Sequence, residues 1–277
     1  MEHKLERILQ KVLKPARYVG GEYNQTVKAK DEVDIRVAFC FPDMYEIGMS
    51  NLGMRIIYGI LNGIDGVWCE RVFTPWVDME QHMRESGVPL YGLESGDPIG
   101  DFDIIAFSIG YELSYTNVLN MLDLAGVPLH SKNRDENAPL VIAGGTCSFN
   151  PEPLSDFIDL FVVGDGEDVV CEIIALYRAS KAAGECRADF LKSAARICGV
   201  YVPAFYAIEY NEDNTVSAIT ANGAELPVKK RIVQDFETSF FPIETIVPST
   251  EIVHDRVVLE LFRGCSRGCK FCQAGHI

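Results

Sequence analysis

Ile35-Arg-Val-Ala-Phe-Cys-Phe41, closed by Pro42, is the stretch on which the fold turns. The run is short and almost continuously apolar, which predicts a strand buried on both faces rather than one with a wet side. The same kind of run returns at 67–73, 104–108, 140–143 and 160–163. Between these runs the pattern is helical. A helix over 50–62 has Ser50 as its N-cap, one over 78–85 stops at Gly87, and one over 113–125 ends at Gly126. Two more are expected over 167–182 and 187–198. Buried strands alternating with helices mean a parallel sheet with helices on both faces and right-handed crossovers. Residues 35–198 are therefore expected to form a five-stranded, doubly wound, Rossmann-like α/β domain.

Outward from that domain the chain is simpler. Residues 1–34 read as an extension, with a short amphipathic helix over 4–14 stopped by Pro15 and a polar, irregular stretch after it. Residues 199–255 read as a small β connector, with a hairpin whose strands, 205–210 and 215–221, flank Asn211-Glu-Asp-Asn214. Arg256-Val-Val-Leu-Glu-Leu-Phe262 reads as one more buried strand and opens a last segment, 256–277.

Composition narrows the function classes. A chain of 277 residues, 48% of them hydrophobic, holds one or two domains with a sizeable core. No apolar run approaches the roughly 18 residues of a membrane helix. The first thirteen residues are charged from the second onward and lack the apolar stretch of a signal peptide, so the expected compartment is the cytoplasm. A net charge of −15 repels a phosphate backbone, so nucleic acid is not indicated as a partner. Nine cysteines, an odd number, argue against a disulfide framework. Six of them (Cys40, Cys69, Cys147, Cys171, Cys186 and Cys198) are scattered and are expected to be small buried hydrophobes.

The other three are clustered as Cys265-Ser-Arg-Gly-Cys269-Lys-Phe-Cys272. Three thiolates within eight residues can wrap one metal centre. Gly264 and Gly268 allow a tight loop and bring N–H groups toward anionic sulfur. Three ligands suit a four-iron cluster with one iron left open, whereas clusters that only transfer electrons usually have four. The competing reading is structural zinc with His276 as the fourth ligand, although zinc sites favour paired C-x2–4-C units.

This C-x3-C-x-aromatic-C pattern resembles the radical S-adenosylmethionine (SAM) superfamily, in which the motif follows the first strand of a partial (βα)6 barrel. The resemblance implies that Cys265, Cys269 and Cys272 ligate a [4Fe-4S] cluster and that residues 256–262 are barrel strand one. It further implies that the open iron binds S-adenosylmethionine, with Phe271 near its adenine. Reductive cleavage of SAM then starts radical chemistry on a substrate, and an electron donor such as flavodoxin or ferredoxin is implied. A six-unit barrel needs roughly 190 residues, scaled from the (βα)8 barrel. The chain is therefore expected to be a C-terminally truncated portion of a longer enzyme, inactive alone.

The α/β domain resembles the cobalamin (B12)-binding-like domain that many radical SAM enzymes carry. Three strand-end loops carry the likeness: Asp43-Met-Tyr-Glu-Ile-Gly48, Gly144-Gly145 and Gly164-Asp-Gly-Glu167. It implies that Asp43, Tyr45, Gly48, Gly144, Gly145, Gly164 and Glu167 lie against a corrin, with the glycines permitting close approach. The family's D-x-H-x-x-G places a cobalt-binding histidine where Tyr45 stands here, and a phenol with an ordinary pKa near 10 is a poor substitute. Two readings follow, one with a corrin bound without that ligand and one with the fold kept for structure or substrate docking. The chain as a whole resembles a subfamily of such proteins on Tyr18-Val-Gly-Gly-Glu22, Ser50-Asn-Leu-Gly53 and Phe262-Arg-Gly-Cys265, without implying a substrate. Three function classes stand: a radical SAM enzyme, a corrin- or substrate-binding module, and a cluster-bearing interaction protein. Elsewhere, Asp165, Glu167 and Asp168 at a helix start are expected to serve its dipole. Lys229-Lys-Arg231 is expected to be a solvated turn.

Overall fold

A computed structural model of the chain describes residues 2–275. Its elements in chain order are α1 (Glu2–Leu9), β1 (Ile35–Phe41), α2 (Tyr45–Gly48), α3 (Leu52–Asn62), β2 (Val67–Phe73), α4 (Val77–Ser86), β3 (Ile104–Ser108), α5 (Tyr115–Leu124), β4 (Leu140–Gly144), β5 (Leu160–Val162), α6 (Glu167–Ala183), α7 (Arg187–Ala194), β6 (Val200–Tyr201), β7 (Tyr206–Tyr210) and β8 (Val216–Ala221). His276 and Ile277 lie outside the described residues, and with them the zinc reading's fourth ligand.

The main sheet has the order β2-β1-β3-β4-β5-β6. β1 pairs in parallel with β2 from Ile35↔Val67 to Phe41↔Phe73, and with β3 from Val37↔Ile104 to Cys40↔Phe107. Having partners on both sides, β1 must be apolar on both faces, and Val37, Ala38 and Cys40 are all fully buried. The connection from β2 to β3 steps back over β1, so the β1/β3 junction is the switch point at which open α/β sheets present a crevice. α3 and α6 lie side by side. Right-handed crossovers put them on one face and α4 and α5 on the other.

The expected five strands become six. β6 pairs antiparallel with β5 through Phe161↔Tyr201 and Val162↔Val200. Two residues are too few to show a period, yet they shield what would be an open edge. The sheet thus runs to residue 201, three past the expected boundary. The α3 cap is Asn51, whose side chain accepts from the Met54 N–H at 2.9 Å, while Ser50 Oγ donates instead to the Glu46 carbonyl. α1 stops at Leu9 rather than 14, and α7 at Ala194 rather than 198. Gly87 and Gly126 end their helices in the left-handed region, at φ 61° and 70°. The connector hairpin forms as β7 and β8.

The expected strand at 256–262 is absent. The segment makes no ladder among the described residues, and Val257, Leu259 and Leu261 are 87%, 70% and 79% exposed. A strand needs a neighbour to take its N–H and C=O groups, and none of the described strands lies alongside.

The N-terminal extension is an arm held by charge. Arg17 donates through Nε and Nη2 to Glu46 Oε1 at 2.9 and 2.7 Å, in a buried pair. Residues 22–24 then cross to the connector. A bridge joins Tyr23 to Val247, and Asn24 donates to the Thr245 carbonyl at 3.1 Å.

Candidate functional site: the strand-end cavity and the cysteine loop

Alternate residues of a strand share one face. On the face under α3 and α6, Val37, Phe39, Ala106, Ile142, Gly144 and Val162 form the floor of a cavity of about 280 Å³. Ile56 and Ile57 of α3 and Val170 and Ile174 of α6 wall it. Its mouth lies at the carboxyl ends of the strands, where Gly164, Glu167, Glu260 and Arg263 surround it. The volume sits at the small end of the ligand-pocket range, about 300–1,000 Å³. It can take one apolar arm of a large ligand, not a whole macrocycle.

The strand-end residues divide between this cavity and the interior. Gly144, Gly145, Gly164 and Glu167 line the cavity, while Asp43, Tyr45 and Gly48 do not. Tyr45 is 1% exposed, donates its hydroxyl to Glu22 and meets the Phe73 ring edge-on at 5.2 Å. Burial, together with the Glu22 carboxylate, pushes the Tyr45 phenol above its ordinary pKa, so it stays protonated. Asp43 accepts from the Tyr111 hydroxyl and from the Met44 N–H. It ties the β1 loop to the β3 loop.

Most of the glycines are required by internal packing. A Cβ on Gly48 would fall 2.2 Å from the Phe73 ring. On Gly145, at φ 97°, it would fall 2.6 Å from the Ile109 carbonyl oxygen, and on Gly164, at φ 106°, 2.1 Å from the Arg231 carbonyl oxygen. The Phe73 ring makes the close approach at Gly48, and backbone carbonyls make it at Gly145 and Gly164. Gly144 alone among these faces room, with its nearest neighbour at 3.8 Å.

That same contact revises the basic run. Arg231 is not a solvated turn residue. Its backbone bridges Gly164, its N–H donates to Val163 and its carbonyl accepts from Asp165. Its side chain pairs with Glu172 at 2.5 Å. The run extends the end of β5, a long-range pairing that local composition does not reveal. Among the scattered cysteines, Cys40, Cys69 and Cys147 are buried as expected, while Cys186 and Cys198 are exposed.

The acidic start of α6 serves more than the helix dipole. Arg263 reaches across to it, pairing with Glu167 and with Asp165 Oδ1 at 3.3 Å, and also holding Glu260 at 2.8 Å. Hydrogen bonds donated to Glu260 and Glu167 hold the guanidinium well above its usual pKa, so it is permanently charged. The sequence reading missed Arg263. The signal available was its place two residues before Cys265, opposite three acids at a helix start.

Arg263 thus fastens the start of the cysteine loop to the cavity mouth. Gly264 and Gly268 turn that loop at φ 76° and 62°. Cys265 and Cys269 are exposed, Cys272 is half-buried, and all three are free thiols. Among the described residues no three His, Cys, Asp or Glu side chains converge closely enough to hold a metal ion. By donor chemistry the loop suits an iron–sulfur cluster, with three unpaired thiols on an open turn. Thiolates repel one another and such sites rarely preform, because metal binding and local folding are coupled. Phe271 stands 94% exposed beside them. No helix among the described residues is long and apolar enough to cross a membrane.

Comparison with known proteins bears on this site. The chain is 26% identical over 243 residues to an uncharacterized protein of Methanocaldococcus jannaschii, covering 86% of this chain but 40% of that protein. It thus spans less than half the length of that relative. A solved structure of the radical S-adenosylmethionine methyltransferase TsrM from Kitasatospora setae, with cobalamin and a [4Fe-4S] cluster bound, overlaps 65% of this chain and 29% of that one. The identity is 14% and the TM-score 0.32, a level that establishes neither a shared fold nor a shared activity. The family described as "Radical SAM proteins, N-terminal" matches residues 53–203, from α3 to just past β6 and more than half of the chain. On that match the chain belongs to the N-terminal family of radical SAM proteins.

Proposed function

We propose that this chain is the N-terminal part of a cytoplasmic radical SAM enzyme, in which Cys265, Cys269 and Cys272 hold a [4Fe-4S] cluster. S-adenosylmethionine binds at the open iron with Phe271 beside it, and flavodoxin or ferredoxin supplies the electron. When bound, the cluster supplies the electron that cleaves SAM. This chain contributes three thiolates, a glycine turn and the Arg263 clasp that fixes where the loop stands. The remainder of the barrel, paired along 256–262, belongs to sequence beyond this chain. The strand-end cavity receives part of a cobalamin. Gly144 provides the clearance, and Tyr45 takes no part in holding cobalt.

The observation that carries this reading is the Arg263 clasp, which joins the C-x3-C-x2-C loop to the cavity mouth at Asp165 and Glu167. A cluster on the loop would stand over whatever enters the cavity. The test is iron analysis of the whole protein after anaerobic reconstitution. About four irons per chain are expected, with loss in Cys269→Ala. Unchanged iron in that variant rejects the ligand assignment.

A second reading is favoured by the packing glycines, since Gly145 and Gly164 are consumed by internal contacts. On it the domain is a binding or docking module that takes no corrin. Cobalamin titration followed by absorbance separates the two. No spectral change on titrating the whole protein favours the second, and binding that is lost in Gly144→Leu favours the first.

A further inference from the structure

A second and larger cavity, of about 420 Å³, lies beside β2, between α3, the N-terminal arm and residues 240–246. It shares no residue with the cysteine loop or with the strand-end cavity. Met54 and Tyr58 of α3 form one wall, and Phe240 forms the other. Phe240 sits in a notch at Gly59, where a Cβ would fall 2.6 Å from its ring. The walls are thus apolar and partly aromatic, while two arginines, Arg55 and Arg71, line the same space.

Arg71 is the unusual group. It is 1% exposed in the middle of β2. Nε donates to Glu94 at 2.6 Å, and Nη1 faces Glu22 at 2.6 Å and Met49 Sδ at 3.2 Å. Nη2 is buried and has no hydrogen-bond partner among the described residues. A buried donor left without a partner is costly, and native proteins rarely tolerate it without a use. Arg55 spends Nε and Nη2 on the Met49 carbonyl, at 3.2 and 2.6 Å. No hydrogen bond from its Nη1 occurs among the described residues.

Charge counting limits what can enter. Arg55 and Arg71 are met by Glu22 and Glu94, Asp255 also acts on Arg55, and Glu244 lies exposed at the rim, so the site has no positive charge to spare. A doubly charged phosphate would leave two negative charges uncompensated. A single carboxylate leaves one. Burial already raises the Glu94 carboxyl above its ordinary pKa, so a proton taken up there restores neutrality.

We propose that this cavity binds a small organic monocarboxylic acid, its carboxylate on Arg71 Nη2 and Arg55 and its apolar or aromatic body between Met54, Tyr58 and Phe240. Phenylacetate is the probe, with 2-phenylethanol and inorganic phosphate as controls, titrated calorimetrically into the full chain. Phenylacetate is expected to saturate at one per chain and to shift the Arg71 side-chain ¹⁵N–¹H resonances. Arg55→Gln is expected to weaken it about tenfold to a hundredfold, the scale of one charged hydrogen bond. Arg71→Gln should abolish binding. Where that variant fails to fold, the Arg55→Gln titration and the wild-type Arg71 resonances decide the matter. Equal affinity for 2-phenylethanol would reduce the site to an apolar hole and overturn the proposal. So would tighter binding of phosphate, unchanged affinity in Arg55→Gln, or no binding of phenylacetate at all.

Discussion

Ile35–Phe41 and Arg256–Phe262 are both seven residues long, both rich in β-branched and aromatic side chains, and both followed by a glycine-bearing loop. One is the doubly paired centre of a sheet, and the other runs unpaired with Val257, Leu259 and Leu261 in solvent. The difference lies in the neighbours rather than in the run. β1 has β2 on one side and β3 on the other, so its backbone groups are met and its side chains enclosed. The later segment touches the domain through Arg263 instead. An apolar run is a request for a partner, and a sheet forms only where the rest of the chain answers it.

The sharpest way to break this comparison is to place one charge in each region. Ile105→Asp, in β3 and fully buried, should leave the domain without a cooperative thermal transition, because an unpaired buried charge costs several kcal/mol. Leu259→Asp should change stability by no more than about 0.5 kcal/mol. Equal damage from both would mean that residue 259 is buried in solution.

The next contrast lies within the strand-end loops. Gly164→Ala drives a Cβ into the Arg231 carbonyl oxygen at a φ that other residues avoid, and should cost about 1–3 kcal/mol in a denaturant melt. Gly144→Ala meets only ordinary contact distances and should cost less than about 1 kcal/mol. A reversal of that order would return Gly164 to the role of ligand approach.

Acid should separate the arm from the sheet. Burial pushes the Glu46 carboxyl up, but hydrogen bonds from Arg17 and Lys14 outweigh it and hold the group below its ordinary value of 4.5. A depressed folded pKa means stability that is present above 4.5 and lost as pH falls through the folded value. Urea midpoints against pH should therefore fall in that window and fall less steeply in Glu46→Gln. Parallel slopes would remove Glu46 from the account.

The smallest effect is expected at the clasp. Arg263→Gln removes a partly exposed guanidinium from Asp165, Glu167 and Glu260 and should shift global stability by about 1 kcal/mol or less. Amide exchange over 256–264 should nevertheless rise while that of β1 and β3 stays fixed. Unchanged exchange there would mean that the loop is held by something other than Arg263.

The α/β order was legible because each central strand announces itself twice, by an apolar run and by the Gly or Pro that ends it. Local pattern could not show β6, whose two residues matter only because Phe161 and Val162 need an edge partner. It also could not show that Arg231 lies over Gly164. Glycine carries a message of close approach but not the identity of what approaches. For Gly145 and Gly164 the answer was the chain itself, and for Gly144 it was no more than an ordinary contact with Val162. Tyr45 followed the same logic, since spacing placed it in the loop while Glu22, from a distant arm, drew its hydroxyl inward. The three cysteines stand out in the sequence by their spacing, but their tether does not, because a salt bridge over 96 residues leaves no periodic trace.

The bridge from Tyr23 to Val247, with Asn24 held by Thr245 and the Ser249 N–H given to Glu22 at 3.3 Å, also sets an order of events during synthesis. The arm leaves the ribosome ahead of the sheet, and some of its partners follow more than two hundred residues later. At roughly 5–20 residues per second, the nascent arm waits about ten seconds or longer for them. The strands between can pair meanwhile, since each finds its neighbour within a short span. The contacts of residues 22–24 with the connector are therefore among the last to form.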